Sequence, residues 1–297
     1  MSVPAAYLTV VVVWATTPIG IAFSGATLHP MLAAGARMVI AATLGSVLLA
    51  LWRIRLPFDR VAMQSYGWSL MGIWAALSLS YMAAMTVPSG LISVLYGLSP
   101  MLSAVVAQCV TDEPPLPVYR WMACTLALFG LVVLFMDEVV IRASMLPGLF
   151  MLLVAVLLFS ISAVMVKKTN AGIHPMAQTV GGLWLSVPLF ALTWLALDGG
   201  MPVLDWSSPS PWAVLYLALF GSLLGFVSYY YVLSHLAPST VALVTLITPV
   251  FALYLGVWFN DESLSSTLVT GAGLIMTGLG VFFFWPALAD LGRKPDR

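Results

Sequence analysis

The sequence predicts an all-α integral membrane protein whose ten transmembrane helices form two inverted five-helix repeats. Three observations predict it. The first is composition: 62% of the 297 residues are hydrophobic and 7% are charged, with a mean hydropathy of +1.05. A soluble domain carries about 25% charged residues, so a surface made for water is excluded. The second is two long stretches without Asp, Glu, Lys or Arg, residues 61–111 and 206–260. Each far exceeds the roughly 20 residues of one helical span and so holds two spans and a turn. The third is a duplication. Tyr81, Pro88, Ser89, Pro100, Asp112 and Glu113 recur, with one gap, as Tyr231, Pro238, Ser239, Pro249, Asp261 and Glu262, and His29-Pro30-Met31 recurs as His174-Pro175-Met176. A duplicated unit with an odd number of spans inserts with opposite orientation to its twin. That is an architecture of secondary transporters, with the solute site near the midplane between the halves.

In hydrocarbon every backbone amide must be satisfied internally, which leaves helices or closed barrels. Continuous apolar runs without period-2 alternation favour helices. The spans fall at 5–23, 31–52, 66–86, 89–110, 119–136, 145–166, 175–197, 212–233, 239–259 and 266–286. Turn signals separate them at Pro30, Pro57, Pro88, Pro114-Pro115-Leu116-Pro117, Pro147, Pro175, residues 207–211 and Pro238. The repeats then cover residues 1–138 and 145–286, with 287–297 a short cytoplasmic tail. The first span has no basic residue before it and no cleavage pattern, so it is expected to be a retained helix.

Basic residues set the orientation. With both termini in the cytoplasm, the inner side carries Arg53, Arg55, Arg60, Arg120, Lys167, Lys168, Arg293, Lys294 and Arg297, and the outer side only Arg142. That bias follows the positive-inside rule and favours an even number of spans in an inner membrane. Cys109 and Cys124 then flank a cytoplasmic loop, where free thiols are expected. A net charge of zero argues against nucleic acid as a partner. The partners expected are a small solute and the lipid bilayer, with the chain a monomer or weak homodimer. Short loops leave no room for a soluble catalytic domain, and no GxxxxGK phosphate loop is present. No cofactor, metal or catalytic residue is expected.

Candidate site residues follow from what an apolar span tolerates. Prolines 18, 100, 188 and 249 lie inside spans, and Pro100 and Pro249 are repeat-equivalent. A buried proline frees a carbonyl, which persists where neighbours or a cavity satisfy it. Span 4 presents Ser89, Ser93, Tyr96, Ser99 and Ser103 at helical spacing beside Pro100. Span 9 answers with Thr245, Thr248 and Pro249. Trp74, Ser78 and Tyr81 come from span 3, and Ser228 is the counterpart of Ser78. Such hydroxyls can bind a solute and still release it, or simply join helices. Trp14, Trp74, Tyr96 and Trp184 fall deep enough to stack on a flat or cationic solute, while Trp206, Trp212 and Trp285 sit at span ends. Arg37 is the only basic residue well inside a span. It would hold a carboxylate or phosphate, cap carbonyls of a kinked helix, or snorkel outwards. No Asp, Glu or His lies mid-span, so no buried proton-coupling group is evident. Gly271, Gly273, Gly278 and Gly280 in span 10, with Ala123 and Gly130 in span 5, are spaced for close helix packing, preferably between the two halves.

Trp14-Ala-Thr-Thr17-Pro18-Ile-Gly followed by Arg37-Met38 resembles the first two spans of EamA-type transporters of the drug/metabolite transporter superfamily. Pro88-Ser89, Ser99-Pro100 and Asp112-Glu113 resemble their fourth span and its exit loop, and Pro238, Thr248-Pro249 and Asp261-Glu262 repeat it. The likeness covers nearly all of residues 5–286. It implies ten helices, a central cavity, alternating access, and export of amino acids or other small metabolites across a bacterial inner membrane. The small multidrug members carry a glutamate in their first span; Trp14 and Thr17 stand in that region here. The expected function is therefore export of small metabolites, in the first place amino acids. Broad drug efflux or import of a small solute is the alternative. A lipid-acting membrane enzyme is a remote one, since the acids occur only as sparse loop pairs, and a sensor without solute flux is another.

Overall fold

A computed structural model describes residues 2–111, 117–135, 143–200, 205–241, 244, 248, 258–259 and 265–292. Helix α1 spans Val3–Ser24 and α2 Pro30–Leu51. The third expected span is α3 (Arg60–Leu70), a π-helical stretch Met71–Ala76 and α4 (Leu77–Ala83). The fourth divides into α5 (Ser89–Tyr96) and α6 (Ser99–Val110). Helices α7 (Val118–Phe135), α8 (Leu146–Thr169) and α9 (Pro175–Leu197) follow. The eighth span is α10 (Pro209–Tyr216), a π-helical stretch Leu217–Leu224 and α11 (Gly225–His235). Helix α12 (Pro238–Val241) and α13 (Ser266–Gly292) complete the described part. No strand occurs among the described residues. Six helices there are long and apolar enough to cross a membrane: Val3–Ser24, Pro30–Leu51, Ser89–Val110, Leu146–Thr169, Pro175–Leu197 and Pro209–His235. The acidic loop pairs Asp112-Glu113, Asp137-Glu138 and Asp261-Glu262, Arg142, and the candidates Thr245 and Pro249 lie outside the described residues.

The helix starts are written in the sequence. His29 Nδ1 accepts the Met31 N–H at 3.3 Å, and His174 Nδ1 accepts that of Met176 at 3.2 Å. In both motifs proline occupies the first helical position, where no N–H is needed. Asp59 caps α3 through Val61 and Ala62. Asn170, in the left-handed conformation at φ 45°, ends α8.

Packing pairs α2 with α9, α7 with α13, and α1 with α10 and α11, while α8 packs on α3, the first π-helical stretch, α4 and α6. The α7–α13 seam depends on absent side chains. A Cβ on Gly130 would meet Gly271 O at 2.8 Å and Ile275 N at 2.9 Å; one on Gly278 would meet Ala123 O at 2.8 Å. The small residues of spans 5 and 10 therefore bring backbones together within one chain, as preferred above.

The two ends of the bundle differ. Lys167 Nζ donates to Leu233 O and Ser234 O, at 2.8 and 2.9 Å, and Lys168 Nζ donates to Val110 O. Two neighbouring lysines thus tie the end of α8 to the C-terminal carbonyls of α11 and α6, where a helix dipole favours cations. Arg53 and Arg55 belong to the α2–α3 connection, and Arg60 opens α3, at that same end. Just inside it, Gln178 of α9 is fully engaged. Its Oε1 accepts from Ser65 Oγ at 2.8 Å, and its Nε2 donates to Ser69 Oγ at 2.6 Å and Ser65 O at 3.3 Å. Gln178→Leu strips those partners in a buried place. It should cost about 1–3 kcal/mol, read as a lower unfolding midpoint of the purified protein; an unchanged midpoint would refute the role of this knot.

Candidate functional site

A cavity lies among helices of both halves of the chain. From the first half it takes Trp14, Thr17, Pro18 and Ile21 of α1, Arg37 of α2, Gly72, Leu77 and Ser80 of the third span, and Ile92, Ser93 and Tyr96 of α5. From the second half it takes Phe159 of α8, Gly221 of the second π-helical stretch, Phe226 of α11, and Thr248. These positions favour the bundle end where α1 finishes and α2 begins, away from the lysine ties.

Arg37 is the electrostatic centre. Only 1% of it is exposed. Its Nε donates to Ser222 Oγ at 2.8 Å and its Nη1 to Tyr81 Oη at 3.1 Å, and the guanidinium carbon lies 5.8 Å from the Tyr81 ring centroid. Ser222 Oγ in turn points at Met38 Sδ, 3.9 Å away. Gly221 makes room for the group, since a Cβ there would stand 3.1 Å from Nη2. Arg37 therefore neither snorkels nor caps carbonyls. It is buried in protein, held by two hydroxyls, at the edge of a cavity.

Beside it is an aromatic cluster. Trp14 and Phe159 meet edge-on at 5.6 Å, Tyr96 and Phe159 at 5.9 Å, and Tyr229 lies 5.0 Å from Trp14 and 5.5 Å from Phe159. Tyr229 continues to Tyr230 at 5.3 Å. Tyr230 borders a second cavity at the lysine end, together with Ser65, Lys167 and Gln178. A layer of aromatic rings thus stands between the two cavities. The hydroxyls of Tyr96 and Ser80 bond at 2.9 Å, and Thr17 Oγ1 donates to Val13 O at 2.8 Å.

Of the expected site residues, Trp14, Thr17, Arg37, Tyr96 and Thr248 line this cavity, and Tyr81 touches it through Arg37. Trp74 turns away and donates Nε1–H to Thr193 Oγ1 at 3.2 Å. The Ser78, Ser99 and Ser228 hydroxyls are buried outside the lining, without a partner among the described residues; that of Ser93, on the lining, likewise has none among them. Pro100 is buried in the first turn of α6. Trp184 is 42% exposed and donates to Ser46 Oγ at 2.9 Å, so it lies outside the site. Sequence reasoning did not find Ser80, Phe159, Gly221, Ser222 or Phe226. Cys109 and Cys124 are free thiols.

Residues 146–284 match the EamA-like transporter family. Over the second half of the chain this bears out the resemblance read from the sequence, and with the six membrane-length helices it supports a multi-pass membrane protein. A solved structure, described only as "Crystal structure of protein", superposes with a TM-score of 0.71 over 96% of this chain and 98% of its own. At 17% identity that likeness is one of fold alone. Among curated proteins none matches.

Proposed function

We propose that the protein is a secondary transporter exporting small metabolites, in the first place amino acids, by alternating access between two inverted five-helix repeats. The repeats are residues 1–138 and 145–286, and the end with the lysine ties faces the cytoplasm of an inner membrane. The observation that carries this reading is a cavity lined from both halves, with a guanidinium that has no ion-pair partner among the described residues on one wall and aromatic rings on another. A guanidinium suits a carboxylate, and ring faces suit an ammonium. The direction of flux rests on the family resemblance.

The contacts support the repeat. The pairs α2–α9 and α7–α13 each join a span to its counterpart, and α1 on α11 mirrors α8 on the third span. Both third-span equivalents contain a π-helical stretch, and both proline-started helices use the same histidine cap. Trp14, Thr17, Arg37, Tyr81, Tyr96 and Thr248 would meet the solute first. Trp74, Ser78, Ser99, Pro100, Ser228, Thr245 and Pro249 would belong to the walls that move around it.

The test is uptake of a labelled amino-acid panel into proteoliposomes, with and without a pH gradient. Saturable uptake blocked by excess unlabelled solute is expected, without need of a gradient because no acid sits mid-span. Uptake that requires the gradient would reveal a coupling group. No uptake of any amino acid would overturn the substrate assignment.

A further inference from the structure

We infer that Arg37 is a carboxylate-binding residue and that the solute class of this cavity is a monocarboxylate with a flat, apolar body, a deepening that rests on the transport reading above. Two of the guanidinium nitrogens are bound, by Ser222 and Tyr81. Nη2 has no hydrogen-bond partner among the described residues, and no carboxylate there pairs with the group. Taking a cation out of water without a counter-charge is costly, and the arrangement is completed when a ligand supplies that charge.

The rest of the wall narrows the class. Arg37 is the only charged residue in the described lining. A dicarboxylate or a phosphate monoester, at about −1.5 to −2, would leave charge unneutralised in an apolar place, whereas a single carboxylate cancels the guanidinium, and the ammonium of an amino acid would be met by the ring faces of the aromatic wall. The Ser93 hydroxyl, buried on the same cavity and without a partner among the described residues, offers a further donor. Beyond these groups the solute meets Trp14, Tyr96, Phe159, Ile21 and Phe226, which favour a planar hydrocarbon body over a hydroxylated one.

The probes are 3-phenylpropionate, its uncharged amide and phenylmalonate, titrated calorimetrically into the purified full-length protein. The carboxylate is expected to bind about ten- to hundredfold more tightly than the amide, the range of a charge-assisted hydrogen-bond set, and more tightly than the dianion. Arg37→Gln should remove that preference and Arg37→Lys should restore part of it. Should Arg37→Gln fail to fold, the carboxylate-to-amide ratio of the unaltered protein still decides. Equal binding of acid and amide, or full carboxylate affinity in Arg37→Gln, overturns the inference. Flux of an uncharged or cationic solute that ignores Arg37→Gln overturns it while leaving transport standing. Arg37-dependent binding of 3-phenylpropionate without flux of any solute upholds the site and sinks the transport reading.

Discussion

Gly278→Leu should destabilise the detergent-solubilised protein by about 1–3 kcal/mol or more, the cost of forcing bulk into a packed seam. A Cβ at this position already meets Ala123 O at 2.8 Å and Ala127 N at 3.0 Å. These are backbone atoms and cannot rotate aside, so α7 and α13 must separate. The controls lie on the same helix: a Cβ on Gly273 or Gly280 meets nothing within 4 Å. Gly273→Leu and Gly280→Leu should therefore melt like the unaltered protein. If all three variants melted alike, the seam would not be held by close backbone approach.

Pro100→Ala should lower transport about tenfold, equivalent to about 1.4 kcal/mol, while leaving the amount of folded protein in the membrane unchanged. The break between α5 and α6 falls at Gly97-Leu98, one residue short of this proline. Pro100 has no N–H to give to the carbonyl of Tyr96, four residues earlier. Alanine supplies one, so the two helices can fuse. Fusion would swing Ser93 and Tyr96, both on the cavity wall, relative to Pro100 and Ser103. Equal loss of folded protein and of flux would mean that the break serves packing only.

Much of the fold was legible because membrane sequences carry coarse signals. Charge-free runs, His-Pro helix starts and duplicated prolines each have a local physical cause, and among the described residues helices stand where those signals put them. The site was legible where a residue is anomalous for its surroundings: Arg37 is a charge within an apolar span, and Trp14 and Tyr96 are large rings at depth. It was not legible where the informative property lies in a distant partner. Ser222 looks like any helix-joining serine until Arg37, 185 positions away, is seen to bond it. Phe159 is one apolar residue among many in α8.

The third span failed for another reason. Ser78 was named beside Trp74 and Tyr81, and as the counterpart of Ser228, but Ser80 is the residue that lines the cavity. The π-helical stretch Met71–Ala76 intervenes. Each extra residue in such a stretch rotates everything after it by about 100°, so an α-helical wheel loses its phase there.

The pairing of Trp14 with Phe159 has a consequence for the working cycle. With the histidine caps 145 positions apart, Trp14 and Phe159 are counterparts under the proposed repeat, and they touch. So do α2 and α9, and α7 and α13. If the two halves trade conformations, each of these contacts is carried onto itself, so none of them has to open. They are the fixed points of the exchange. Under the proposed alternating access the glycine-built seam would stay rigid for that reason, and the motion would fall to the contacts that are carried onto different ones, α1 against α11 and α8 against the third span.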